Sequence, residues 1–336
     1  MNFALPRFAI LLLLASTAGG ARLATVTVSP DGAGAFKSIQ AAIDAAPAAG
    51  GVIRIQPGIY REPIVVNKNH IQLRGSGSDP SQVVLSYDLS SATAGGTGKS
   101  ASTKVTGDDF YAENLTFENT FSRNKPLTRE GSQAVALRVT GDRAVFRHVR
   151  FLGFQDTLYA DGKGCDSEQG PCRPARQYFA DCYIEGNVDF IFGDALAFFD
   201  QCEIHSLAHS TVFITAQSKR YEGERSGYVF HRCRLTAAPG AERVYLGRPW
   251  RAHASVVFMN TYMGPQIVPP GWMEWVHNGV PSLPTASYAE YKSSGPGAAP
   301  QARDAHTRQL TTAEASKLGV KNFLAGDDRW NPTRVH

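Results

Sequence analysis

Several signatures that would place a chain quickly are missing from this one. Of its 336 residues, no stretch approaches the roughly eighteen consecutive apolar residues needed to cross a bilayer, so no helical membrane span is expected. There is no G-x-S-x-G elbow, which removes the usual mark of an α/β serine hydrolase. No G-x-x-x-x-G-K-[ST] loop exists to cradle a nucleotide phosphate. There is no CxxC pair either. His205-Ser-Leu-Ala-His209 has the spacing of a helical metal site but lacks the glutamate of H-E-x-x-H and falls among loop and strand patterns. It reads as two ordinary histidines, and no metal is expected. Net charge is only +4, without an arginine-rich block or basic residues interleaved with aromatics, so nucleic acid is not expected as a partner. A mildly basic chain suits an anionic partner and suits plain solubility equally.

The first residues read as an export leader. Arg7 precedes an apolar run over 8–15, and small residues follow at Ala18, Gly19, Gly20 and Ala21. Residues 1–21 are assigned to the leader, with the cleavage point approximate, and 22–336 to a single domain. With 43% hydrophobic residues, that length suits one elongated core.

What the chain does have is a repeat. Phe146-x-x-Val149-x-Phe151, Phe179-x-x-Cys182-x-Ile184, Phe199-x-x-Cys202-x-Ile204, Phe230-x-x-Cys233-x-Leu235 and Phe258-x-x-Thr261-x-Met263 align, and Ala112-x-x-Leu115-x-Phe117 fits less tidily. Short strand-like runs, 32 glycines and little helical period point to an all-β solenoid, most simply a parallel β-helix. Residues 36–46 form an amphipathic helix stopped by Pro47, expected to cap the first coil. Thr311 with Glu314 makes a capping box before a short helix in a C-terminal tail expected to lie over the coils. Residues 90–103, rich in Gly, Ser, Thr and Ala, read as a surface linker.

Two aspartates sit in apolar, aromatic surroundings, in Gly153-Phe-Gln-Asp-Thr-Leu-Tyr159 and Gly186-Asn-Val-Asp-Phe-Ile-Phe-Gly193. A carboxylate buried there must be paired or used, because an unpaired buried charge costs several kcal/mol. Asp156 lies ten residues after Phe146 and Asp189 ten after Phe179, so both hold one register, one coil apart. Stacked coils lie about 4.8 Å apart. Residues 33 positions apart in sequence thereby become lateral neighbours, and acid/base or nucleophilic work follows from the pairing.

Five cysteines allow two bridges and one thiol in an exported chain. Cys182, Cys202 and Cys233 share a register. Cys182 and Cys202, 20 residues apart, are expected to be bridged, while Cys233 reads as a small core residue. Cys165 and Cys172 bracket a polar loop and are placed to close it.

In Tyr245-Leu-Gly-Arg-Pro-Trp250 a guanidinium and an indole stand two positions apart beside a proline; the first suits a carboxylate, the second a sugar face. At this point the chain resembles the pectin methylesterases, carbohydrate esterases that demethylate polygalacturonate. The resemblance is carried in order by Gly58-Ile-Tyr-Arg-Glu62, Gln133-Ala-Val-Ala-Leu137, the two aspartate segments and Leu246-Gly-Arg-Pro-Trp250. Glu290-Tyr-Lys-Ser-Ser-Gly-Pro-Gly-Ala298 looks like the closing region of that family. Together these cover roughly residues 25–320.

The resemblance implies a right-handed parallel β-helix and hydrolysis of galacturonate methyl esters to methanol and pectate, without cofactor. It implies Asp189 as nucleophile, Asp156 as general acid and then base, Gln133 and Gln155 as oxyanion donors, and Arg248 as the residue that fixes and ionises Asp189. Tyr159, Phe192, Trp250 and Trp272 match or neighbour aromatics of the sugar groove. The partner is then methyl-esterified pectin, acted on by a monomer free of the membrane once the leader is removed. The short leader suggests a bacterial exported type, secreted or periplasmic. The loop from Cys165 to Cys172 looks like an insertion beside the groove.

Two rivals remain open. Paired carboxylates also serve a retaining glycosidase, and a lyase acts on the same polymer, but two glutamines beside the aspartates suit an oxyanion better than an oxocarbenium ion. A non-catalytic pectin-binding relative would have lost one of the five polar residues, and all five are present.

Overall fold

The computed structural model describes residues 23–121, 132–163, 173 and 175–335. The leader and the segment holding Cys165 and Cys172 lie outside these residues. Among the described residues the strands form three parallel sheets, called here A (eleven strands), B (eight) and C (seven). Seven coils contribute one strand to each sheet. Ala144–Arg147, Arg150–Leu152 and Leu158–Ala160 make one coil, and Arg176–Ala180, Tyr183–Gly186 and Ile191–Gly193 make the next. This is a right-handed parallel β-helix, the hand that right-twisted strands impose on parallel crossovers.

Side chains that alternate along each strand put one set inside the coil, and the aligned phenylalanines are that set. Phe146, Phe179, Phe199, Phe230 and Phe258 pair in register. Their rings stack at centroid spacings of 4.7, 4.7, 4.4 and 4.6 Å and are nearly parallel. Each stacked pair adds about 0.5–1.5 kcal/mol beyond the area buried.

Six of the eight corners from sheet A to sheet B are made by one residue in the left-handed region: Asn114, His148, Asp181, Gln201, Arg232 and Asn260, with φ between 51° and 57°. The next residue points inward, which is where Cys182, Cys202 and Cys233 fall, at most 2% exposed. The expected bridge is absent, since Cys182 and Cys202 are free thiols. In-register neighbours of a parallel stack keep their Cβ vectors parallel at about 4.8 Å, beyond the 3.5–4.5 Å that a disulfide needs between Cβ atoms. Each thiol instead donates to a carbonyl one coil back: Cys182 to Phe146, Cys202 to Phe179 and Cys233 to Phe199.

The capping helix runs over Ile39–Ala45, starting later than its apolar period because Ser38 caps it, accepting from the Ala41 N–H. Glu62, one of the residues that carried the family resemblance, accepts from the Ile39 and Gln40 N–H groups and from the Ser38 hydroxyl, so its role is to hold this cap. The C-terminal segment covers the outer face of sheet A, where Leu318, Phe323, Leu324 and Trp330 pack on Val145, Tyr178 and Phe198. Its helix Thr312–Lys317 carries the expected capping box. Arg176, whose side chain is 4% exposed, ties it down by bridging Asp142 and Asp328.

Candidate active site

Asp156 and Asp189 occupy matching corners between sheets B and C, both in the left-handed region at φ 65° and 51°. The strands that follow pair Leu158 with Ile191 and Tyr159 with Phe192, which places the aspartates in register. The Asp156 N–H donates to the carbonyl of Val188 at 3.0 Å, next to Asp189. At Gly186 the chain passes so close to Phe190 that an added Cβ would lie 2.2 Å from its Cβ, which explains the glycine before the second aspartate.

Arg248 comes from the second coil beyond Asp189, just after strand Val244–Gly247. Gly247 lies against Thr215, where a Cβ would fall 1.9 Å from the hydroxyl; this close approach brings Arg248 within reach of the cleft. Its Nε donates to Asp189 Oδ1 at 2.9 Å and its Nη2 to Oδ2 at 2.6 Å. The guanidinium is sandwiched between the rings of Phe213 at 4.0 Å and Trp275 at 4.2 Å.

The two carboxyls are both almost wholly buried, at 8% and 6% exposure, but their surroundings differ. Burial pushes Asp156 well above the usual carboxylate range, and the charge of Asp189 pushes it further, against a smaller pull from Arg248. Burial raises Asp189 as well, opposed by the hydrogen bonds and charge of Arg248. The expectation that Arg248 alone would hold Asp189 low omits this desolvation. The order within the pair is unchanged: Asp189 gives up its proton first and Asp156 keeps one.

Both glutamines face the same cleft, of about 330 Å³. The Gln155 amide oxygen accepts from the Ser132 hydroxyl at 2.9 Å, which turns its NH2 end away from Ser132. The Gln133 amide oxygen is buried without a partner among the described residues. The stretch 90–103, read as a surface linker, in part lines the site. Its Ser91 N–H donates to the Gln133 carbonyl, the Ser100 hydroxyl accepts from Val135 N–H, and Thr97 stands in the cleft wall.

Of the four expected aromatics, Phe192 and Trp250 line the cleft, and Tyr159 stacks on Phe192 at 4.1 Å. Trp272 does not. It is 2% exposed and stacked on Tyr288 at 3.8 Å inside the core, because its backbone bridges Gly247 and directs the side chain inward. The second cleft tryptophan, beside Trp250, is Trp275, three residues on, packed with Phe192 and Ala216. Its signal was in the sequence, as the second tryptophan of Gly271-Trp-Met-Glu-Trp275. His205 and His209 lie apart from the cleft residues, hydrogen-bonded to Thr236 and to the Thr211 carbonyl.

A desolvated pair of carboxyls, one clamped by a guanidinium and one protonated, beside two amides, is equipped for acyl transfer through a carboxylate nucleophile. A family model described as Pectinesterase matches residues 25–327. The chain is 40% identical over 313 residues to pectinesterase 31 of Arabidopsis thaliana, covering 89% of this chain and 92% of that protein. It is similar in structure to pectin methylesterase from carrot, with a TM-score of 0.81, 31% identity and coverage of 93% and 96% of the two chains. It is also similar to a pectin methylesterase solved in complex with a hexasaccharide, with a TM-score of 0.79, 31% identity and coverage of 94% and 100%. The curated relatives are plant proteins, while the similar structures come from plant, fungal and bacterial sources, so a bacterial type in particular gains no support.

Proposed function

For a chain that belongs to the pectinesterase family and hydrolyses the methyl esters of pectin, we propose that Asp189 is the attacking carboxylate and Asp156 the proton donor. The observation that carries this assignment is the in-register pair in which Arg248 makes two hydrogen bonds to Asp189.

Ionised Asp189 attacks the ester carbonyl carbon, and the carbonyl oxygen takes the negative charge. The amides of Gln133 and Gln155 supply N–H donors to that oxygen, each typically worth about 2.7–4 kcal/mol in such a role. Collapse breaks the bond to the methoxy oxygen, which takes the Asp156 proton and leaves as methanol. An acyl-enzyme anhydride at Asp189 remains. Asp156, now a carboxylate, removes a proton from water as the water attacks that anhydride. The galacturonate acid departs, Asp189 is again a carboxylate, and Asp156 is again protonated.

The substrate is the galacturonan chain lying over Phe192, Trp250 and Trp275. The leader assignment supports export and action on polysaccharide outside the cell, and the lack of an arginine-rich block supports no nucleic acid partner; the protein is read as a monomer, and among the described residues no helix is long and apolar enough to cross a membrane. The test is methanol release from highly methylated pectin, run beside assays for reducing ends and unsaturated uronate. Methanol alone is expected; either of the other products without methanol overturns the reading.

A further inference from the structure

We propose that Glu274 is a positioning residue for this reaction: it closes the base of a hairpin and thereby holds Trp275 against Arg248, keeping Arg248 seated on Asp189. The inference rests on the reading of Asp189 as the attacking carboxylate.

Val276–His277 and Val280–Pro281 form a two-stranded antiparallel hairpin that joins none of the three large sheets. Its turn, Asn278 and Gly279, has both residues at positive φ, the mirror-image turn that matches strand twist. An isolated two-stranded hairpin is marginal in water. Apolar burial does not compensate here, since Val276 is 54% and Val280 64% exposed.

The two ends of the hairpin meet at one carboxylate. Glu274 Oε1 accepts from the N–H of Trp275 at 2.8 Å, Ser282 at 2.7 Å and Leu283 at 3.1 Å. Bonds to an ionised acceptor are about twice as strong as neutral ones. The first of these N–H groups belongs to the residue whose indole covers one face of the Arg248 guanidinium, opposite Phe213. His277, on the hairpin itself, stacks on the same indole at 5.4 Å and 14°. The route is therefore continuous from Glu274 to the Trp275 backbone, the indole, Arg248 and the Asp189 carboxylate.

Removing the acceptor leaves three N–H groups to find water, opens the base and frees the indole. The guanidinium then loses one wall of its slot and shifts off the Asp189 oxygens, so the two hydrogen bonds that oppose the burial of that carboxyl weaken while Asp156 and the rest of the cleft wall around it stay in place. Asp189 holds its proton to higher pH, so activity is lost from the acid side earlier than in the wild type.

The experiment compares wild type, Glu274→Ala, Glu274→Gln, Trp275→Ala and the double variant Glu274→Ala with Trp275→Ala, by pH profiles of kcat/KM for methanol release and by Tm. Glu274→Ala is expected to lower kcat/KM about tenfold and to move the acid limb upward. Glu274→Gln keeps an acceptor oxygen without the charge and is expected to fall between it and wild type in both readouts; it serves alone if the alanine variant does not fold. The double variant is expected to be no worse than Trp275→Ala, since both changes act on one contact. An acid limb unmoved in both Glu274 variants, whatever happens to Tm, overturns the proposal, as does a loss that adds to that of Trp275→Ala. Methanol release by wild type and its abolition in Asp189→Asn, measured in the same series, test the underlying reading separately.

Discussion

Arg248 grips Asp189 across two coils with two nearly parallel hydrogen bonds of 2.9 and 2.6 Å, and among the described residues no hydrogen bond joins it to Asp156. This asymmetry separates two carboxyls of similar burial in their hold on a proton, and the proposed division of chemical labour rests on it.

Arg248→Lys keeps the charge and loses the fork. A lysine ammonium cannot match both carboxylate oxygens or fill the slot between Phe213 and Trp275. We expect kcat/KM to fall by about two to three orders of magnitude and the acid limb to rise, because Asp189 then loses part of what opposes its burial. A pH series of initial rates checks both; a variant as active as wild type rules out the clamp.

The two carboxyls separate by intermediate trapping. Asp189→Asn removes the attacking charge, so no adduct is expected with any ester. Asp156→Asn removes proton delivery and the base for water, so an activated galacturonate ester should still acylate Asp189 and the adduct should persist. Mass spectrometry of both variants reads the result, and an adduct on the Asp189 variant alone reverses the roles.

Asp156→Asn has a second consequence, in stability. A carboxyl raised by burial contributes most below its unfolded value near 3.9, and that contribution is lost as pH rises toward the folded value. Asparagine cannot ionise, so the variant should be more stable than wild type at neutral pH, with the difference closing below about pH 4. Tm measured against pH tests the sign.

Ser132→Ala frees the Gln155 amide to rotate. The expected effect is a fall in kcat of roughly tenfold with KM little changed, smaller than the 100-fold or more for Gln155→Leu, which removes the donor outright. Equal effects of the two, or a change confined to KM, would show that Ser132 does not set the amide.

The two neighbouring tryptophans should fail in opposite ways. Trp272→Ala empties the core beside Tyr288 and should cost about 3–5 kcal/mol of stability. Trp275→Ala, at a partly buried position on the small cluster beside the cleft rather than in the main core, should cost less stability than Trp272→Ala yet impair catalysis. Denaturant unfolding set beside methanol release distinguishes them.

The coil repeat and the aspartate register were legible because both depend on a period, and a stacked phenylalanine every coil writes that period into the sequence. Trp272 and Trp275 were not, because the chain there leaves the regular coil for a bridge and a hairpin, and alternation no longer says which ring faces in. Thr97 was hidden for a related reason: a polar stretch without apolar period carries no mark of where hydrogen bonds to Gln133 and Val135 will anchor it. The cysteine column was read in the right register but bridged in error, since adjacency in a parallel stack fixes the spacing of Cβ atoms as well as their order. Glu62 was grouped with the family motifs, yet its work is to hold a helix start.

Because the two carboxyls proposed to be catalytic sit on adjacent coils, their separation is a lattice constant of the solenoid rather than a property of either side chain. Duplicating one whole coil between strands Leu158–Ala160 and Arg176–Ala180 would preserve every local sequence around Asp156 and Asp189 and yet move them two pitches apart, beyond any shared proton or substrate. The same duplication placed between Ile71–Gly75 and Val83–Tyr87 would lengthen the molecule and leave the pair untouched. Such a protein is free to grow by whole turns ahead of this site, but not within the coils from Gln133 to Arg248 that build it.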